Sequence, residues 1–189
     1  VCNSKIELVN EKFNLVICEQ CALVFCKDIF SEQTFVDVYN QLYNTTQQYD
    51  KHIKESETLV KEKQPSIGRV KLKVLNYLVK KRVKNVSEIG AGVGIVAKYF
   101  QNMHVNYQGI ELDGKTVERA QAAGLHIKKG DFTILGNLPN QQDAIVAFEV
   151  IEHLQGLHEL FLILQETLKQ DGYFGFTVPN YDKRLNFKN

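Results

Sequence analysis

The sequence predicts an α/β protein built on a doubly wound, mostly parallel, Rossmann-like sheet with strand order 3-2-1-4-5. Three observations predict it. From Asn85 onward, short apolar runs of strand length alternate with helical patterns. A turn of alternating glycines, Gly90-Ala91-Gly92-Val93-Gly94, joins the first of those strands to the first of those helices. The next two strands end on Glu111 and on Gly130-Asp131. Alternating strands and helices imply right-handed crossovers and a sheet covered on both faces.

The expected strands are 85–89, 106–111, 125–130, 143–148 and 172–178, and the expected helices are 94–101, 114–123 and 155–170. Asp113 reads as the N-cap of the second helix, and Asp171-Gly172 as the end of the third. Upstream, Ser31 caps a helix to about Asn44 that carries Phe35, Val38, Tyr39 and Leu42 on one face. Residues 45–64 are polar and partly helical. Ser66 then caps a helix whose apolar positions are Ile67, Val70, Val74, Leu75 and Leu78. Residues 1–30 hold the cysteines and the strand-like runs Leu15-Val16-Ile17 and Leu23-Val24-Phe25. The expected domains are therefore a Cys-rich ribbon over 1–30, a helical cap over 31–84 and the sheet core over 85–189.

A chain of 189 residues, 44% hydrophobic and 24% charged, has the composition of one globular core with a small appendage. No apolar run spans a bilayer and no signal pattern opens the chain, so the expected location is cytoplasmic, with no membrane partner. The net charge of +1 hides an asymmetry: residues 51–84 hold eleven Lys or Arg against three Glu. That stretch suits either a nucleic acid or phosphorylated partner, or amphipathic helices with solvated lysine faces.

Two readings compete for the glycine turn. A dinucleotide fingerprint fits if it starts at Gly92, with Gly94 and Ala97 in step, and fails if it starts at Gly90. Glu88 favours the other reading, because a carboxylate just before the turn repels a pyrophosphate. It suits a cofactor with a cationic amino-acid end, such as S-adenosylmethionine. Glu111, 21 residues past Gly90, is placed to accept from both hydroxyls of a ribose. Asp131 is placed to accept from an adenine amino group, with Phe132 as an apolar wall.

These segments, with Phe148-Glu149-Val150-Ile151-Glu152-His153-Leu154 and Gly172 through Asn180, resemble class I S-adenosylmethionine-dependent methyltransferases, most closely the subgroup that includes ubiquinone-biosynthesis O-methyltransferases. The resemblance covers about residues 66–180. It implies that Glu88, Gly90, Ala91, Gly92, Gly94, Glu111, Leu112, Asp131, Phe132, Phe148 and Glu149 contact or border S-adenosylmethionine. It further implies methyl transfer to an O or C atom of a small-molecule acceptor. The family sheet has seven strands and this sequence has text for five, so a chain trimmed at both ends is expected.

Cys18-Glu19-Gln20-Cys21, with fifteen residues between it and Cys2, is similar to part of a zinc ribbon. Cys2, Cys18 and Cys21 are the expected zinc ligands, an incomplete set, and Cys26 lacks the paired spacing. A ribbon followed by an aromatic helix and this core also resembles certain bacterial sugar C-methyltransferases, in which Tyr39, Tyr43 and Tyr49 would fall over the cofactor. His153, past the fourth strand, reads either as the base that deprotonates an acceptor or as a loop-fixing residue. Glu149, Glu152 and His153, whose side chains can converge at the start of a helix, together resemble the metal-binding E-x-x-E-H of small-RNA 2′-O-methyltransferases, so metal-dependent RNA 2′-O-methylation is an alternative function, as is a non-catalytic nucleotide-cofactor-binding module.

Overall fold

The computed structural model describes residues 4–28, 34, 37–38, 41, 47–62, 66–138, 141–154 and 156–179. The chain divides into two compact units, Val1–Thr45 with Asn180–Asn189, and Thr46–Pro179. Cys2, Ser31, Phe35, Tyr39, Leu42 and Tyr43 lie outside the described residues, as does the side chain of Tyr49.

The first unit contains an antiparallel sheet of β1 (Ile6–Asn10), β2 (Leu15–Cys18) and β3 (Val24–Cys26), with β2 central. Strand alternation buries Val16 and Cys18 on one face of β2. Asn14, at φ 44°, closes the first turn, where Asn10 Oδ1 accepts the Phe13 N–H at 3.1 Å. Ala22 closes the second, donating its N–H to the Cys18 carbonyl at 2.9 Å. Cys18 is buried whereas Cys21 and Cys26 are exposed. Among the described residues no group of three or more His, Cys, Asp or Glu is placed to hold a metal ion. Of the expected zinc ligands, Cys2 lies outside the described residues and Cys18 is 1% exposed; Cys26, which is not among them, donates its Sγ hydrogen to the Phe13 carbonyl at 3.7 Å.

The second unit runs α1 (Gln47–Lys61), α2 (Arg69–Lys80), β4 (Asn85–Ile89), α3 (Ile95–Asn102), β5 (Asn106–Glu111), α4 (Gly114–Ala122) and β6 (Ile127–Lys129). A 3-10 helix (Phe132–Asn137), β7 (Gln142–Phe148), a short 3-10 turn (Ile151–His153), α5 (Leu157–Thr167) and β8 (Leu168–Thr177) complete it. The sheet order is β6-β5-β4-β7-β8, and every neighbouring pair is parallel.

Both faces of the sheet are packed, as the hydrophobic run Ala144-Ile145-Val146-Ala147-Phe148 of the interior strand β7 requires. Val86, Tyr107, Ala144, Val146 and Phe148 pack with Leu75 and Leu78 of α2, Phe100 of α3 and Val117 of α4. Ile89, Ile110, Ile145 and Ala147 pack on the other face with Leu135 of the 3-10 helix and Leu160 and Leu164 of α5. Polar anchors hold the amino-terminal edge. Asp143 accepts the Lys84 and Asn85 N–H groups, both at 2.8 Å, and pairs with Lys169 at 2.7 Å. Burial pushes the pKa of Asp143 up, but these donors outweigh it and hold the carboxyl below its usual value. Among the described residues no helix is long and apolar enough to cross a membrane.

Two expected boundaries are corrected. The α2 helix starts at Arg69 after Gly68, without a side-chain cap, so Ser66 does not cap it. Its buried stripe is rotated from the expected one: Leu75 and Leu78 are covered while Val70 is 62% exposed. The α5 helix ends at Thr167, before Asp171-Gly172. The Thr167 hydroxyl donates to the Leu135 carbonyl, and its own carbonyl accepts the Gln141 N–H, both at 3.1 Å. Asp171, at φ 63°, then lies inside β8, where the pairing jumps from Leu168 to Tyr173 while β7 advances from Gln142 to Ala144.

Candidate functional site

Parallel pairing brings the carboxyl ends of β4, β5, β6 and β7 to one edge of the sheet, and the sequence places an acid at or near each. Glu88 pairs in register with Gly109, and Glu111 with Lys129.

Glu88 is 3% exposed and accepts a short hydrogen bond on Oε2 from the Tyr107 hydroxyl. Burial raises its pKa to about 8. The Tyr107 bond and the charge of Lys71 oppose that rise, and the charge of Glu111 adds to it. Burial, with Glu88 beside it, lifts the Tyr107 phenol well above its ordinary value, so Tyr107 remains a donor. Glu111 is 6% exposed, with both oxygens engaged. Oε2 accepts the Gly92 N–H at 2.9 Å and Oε1 the Asp113 N–H at 3.0 Å. Each oxygen keeps a lone pair for a ligand, so the carboxylate is oriented without being used up.

The glycine turn is held by the strand beside it. The Gly90 and Ala91 N–H groups both donate to the Ile110 carbonyl, at 2.9 and 3.0 Å. Gly94, at φ 88°, opens α3, and a Cβ there would lie 2.6 Å from Leu125 Cδ1 and 2.9 Å from Ile127 Cδ1. Gly92, at φ 54°, differs: a Cβ would meet nothing within 4 Å. Its open side is the approach a ligand needs.

Asp113 caps α4 as expected, accepting the Thr116 N–H at 2.8 Å. Asp131 caps the 3-10 helix, an element the sequence reading lacked. Its Oδ1 takes the Thr133 N–H and hydroxyl, and Oδ2 makes no hydrogen bond among the described residues. Phe132 and Phe148 are buried at 9% and 4%, and Leu112 is 50% exposed. Glu149 is exposed, at φ 59°, and donates its N–H to the Thr177 carbonyl at 3.0 Å.

The E-x-x-E-H grouping does not gather as a metal site among the described residues. The expected helix start is absent there, because α5 begins only at Leu157 and Glu152 and His153 sit in a separate 3-10 turn. The His153 side chain is 55% exposed, its Nε2 3.9 Å from Glu152 Oε1.

Two residues at this edge escaped the sequence reading. Tyr107 was legible from strand period: Tyr107, Gly109 and Glu111 share one face, the face on which Glu88 lies. Lys71 was hidden in a basic stretch, although it falls in helical step with Val74, Leu75 and Leu78. Its ammonium lies 5.4 Å from the centroid of the Phe148 ring. Beside this edge, a groove of about 760 Å³ runs along α1, lined by Asp50, Lys54, Glu55, Thr58, Leu59 and Ile95, the last being the first residue of α3.

A family model described as a methyltransferase domain matches residues 61–188, about two thirds of the chain. The chain belongs to the methyltransferase domain family. Solved structures share the fold of this methyltransferase domain. A S-adenosylmethionine-dependent methyltransferase from Archaeoglobus fulgidus aligns with TM-score 0.53 and 22% identity, over 59% of this chain and 52% of its own. A protein from Pyrococcus horikoshii aligns with TM-score 0.53 and 17% identity, over 79% and 64%. A putative sarcosine dimethylglycine methyltransferase from Galdieria sulphuraria aligns with TM-score 0.50 and 20% identity, over 55% and 43%. The chain thus spans less than two thirds of the length of each of these structures. Comparison with curated proteins gives no match.

Proposed function

We propose that the methyltransferase domain binds S-adenosylmethionine across its acidic edge and transfers the methyl group to an O or C atom of a small-molecule acceptor. The observation that carries this reading is the pair of buried carboxylates, Glu88 and Glu111, flanking a glycine turn with an open side at Gly92. A phosphate-binding edge would present bare N–H groups instead. Here the Gly90, Ala91 and Gly92 N–H groups are already donated to Ile110 and Glu111.

In this reading Glu88 faces the cationic amino-acid end, Glu111 takes the ribose hydroxyls and Asp131 Oδ2 takes the adenine amino group. Gly90, Ala91, Gly92, Gly94 and Leu112 border the ligand, Phe132 and Phe148 supply apolar walls, and Glu149 lies at its rim. S-adenosylmethionine, when bound, supplies a methyl group already activated on a cationic sulfur. The protein's part is alignment and exclusion of water. The groove beside α1 meets the glycine turn at Ile95 and suits an acceptor. His153, at the same edge, is the candidate to take the acceptor's proton.

Titration calorimetry with S-adenosylhomocysteine tests this: the folded protein releases heat on saturable binding, and a folded sample that gives none removes the reading. Two glycine variants refine it. Gly94→Ala costs roughly 2–4 kcal/mol in urea unfolding, from backbone strain and overpacking against Leu125 and Ile127. Gly92→Ala costs only about 1–2 kcal/mol, from φ alone, yet abolishes measurable ligand heat because its methyl group projects into the open approach. Equal loss of stability in both, or full ligand binding by the Gly92 variant, contradicts this division.

A further inference from the structure

We infer that the outward face of α2, with the turn that follows it, is a docking surface for single-stranded nucleic acid. Cations along the face take backbone phosphates, and Tyr77 stacks against a base. The inference is independent of what the acidic edge of the sheet binds.

Between Glu62 and Glu88 the chain carries eight Lys or Arg and no acid. Helical period decides where those of α2 point. Leu75 and Leu78 face the sheet, so Arg69, Lys73 and Lys80 fall on the opposite side of the helix. All three are exposed, and the exposed cations Lys81, Arg82 and Lys84 continue the run past the helix end. The helical part alone spans roughly 17 Å. Among the described residues none of these six side chains forms a salt bridge. Asp143, which accepts the Lys84 N–H, is already paired with Lys169 at 2.7 Å.

A lysine face that serves only solubility interleaves its charges, because like charges four residues apart on a helix repel. The α1 helix does so: Lys51 and Lys54 alternate with Asp50, Glu55 and Glu57, and Lys51 lies 3.8 Å from Glu55. The α2 helix keeps the repulsion, which a bound polyanion relieves.

Tyr77 sits within the stripe, 49% exposed, and meets Tyr173 of β8 edge to face at 5.8 Å. Lys81 Nζ stands 5.4 Å from the Tyr77 ring centroid and 6.0 Å from that of Tyr173. An exposed ring among phosphate-seeking cations is what an unpaired base stacks on. A lipid surface fits less well. An interfacial helix inserts its apolar face, and here Leu75 and Leu78 are buried in the protein core.

Fluorescence anisotropy of the full chain with a labelled single-stranded RNA of about 12 nucleotides tests this across a salt series. The wild type binds saturably, and log affinity falls against log salt with a slope of about 3–4. Combining Arg69→Gln, Lys73→Gln and Lys80→Gln lowers that slope by about 2. Combining Lys5→Gln, Lys12→Gln and Lys27→Gln removes the same charge from the small sheet and leaves the slope unchanged. Tyr77→Leu keeps bulk against Tyr173 but weakens RNA binding roughly 5–100-fold at constant slope, and Tyr77→Phe restores it. Every variant is checked for an unchanged thermal transition. No saturable RNA binding, equal losses in the two triple variants, or wild-type affinity in Tyr77→Leu overturns the proposal. Vesicles of phosphatidylcholine and phosphatidylserine that bind the wild type as tightly as the RNA overturn it in favour of a lipid surface.

Discussion

Glu88→Gln is expected to raise the stability of the ligand-free methyltransferase domain at pH 8 and to weaken its cofactor binding. The carboxyl is 3% exposed and its pKa is lifted from 4.5 to about 8, chiefly by burial. The sign follows from linkage. A group raised on folding contributes its full stability below the unfolded value, here 4.5, and loses it as pH rises toward 8. Above that range, keeping Glu88 buried costs on the order of 5 kcal/mol. Glutamine carries no such penalty, and its side-chain oxygen still accepts the Tyr107 hydroxyl. Thermal scans should therefore show the variant melting roughly 5 °C or more higher at pH 8, with the gap closing toward pH 4.5.

Binding runs the other way. A cationic ligand favours the ionised carboxylate, so wild-type affinity for S-adenosylmethionine rises between about pH 6.5 and 8 and then levels. The Gln variant follows a flat profile in that window and is roughly 10–100-fold weaker at its upper end. Tyr107, Lys71 and Glu111 are the groups that tune this titration. Parallel pH profiles in wild type and variant would remove Glu88 from the binding reaction.

The second large effect is the same substitution with the opposite sign. Glu111→Gln destabilises the fold, because both carboxylate oxygens accept backbone N–H groups, from Gly92 and Asp113. An amide has one oxygen and one NH₂, so one of those backbone donors must face another donor. The cost is roughly 1–3 kcal/mol in urea unfolding. It falls on the glycine turn or on the start of α4, so S-adenosylhomocysteine affinity drops by about a hundredfold as well. An Glu111→Gln protein as stable as wild type would mean that these two bonds do not hold the turn.

Much of this was legible in the chain. The strands at 85–89 and 106–111 follow from their β-branched and aromatic residues set between polar turns, and the acid-glycine sequence around Glu88 marks the turn at the carboxyl end of β4. The Asp113 cap follows from a short acceptor side chain before a helical pattern. The end of α5 did not follow. Asp171-Gly172 carries a strong local stop signal, but Thr167 is already committed to Leu135 and Gln141 across the fold. The converging metal grouping failed for a similar reason: spacing alone gave E-x-x-E-H a helix, and the chain forms a separate 3-10 turn there. Lys71 was invisible because a lysine among lysines reads as solvated surface until the packing of α2 shows which way it faces.

The sequence by itself determined the alternation of strand and helix and the residue types at each strand tip, since both depend on local periodicity and on what glycine and carboxylates permit. Only the tertiary structure decided how those tips act on one another. Pairing β5 beside β4 turns Tyr107 onto Glu88 and Glu111 onto the Gly92 amide. Packing α2 against the sheet then sets a cation over Phe148. Charge, burial and hydrogen bonding between elements far apart in the chain belong to the packed molecule, because desolvation and Coulomb energy depend on distance in space and on exclusion of water.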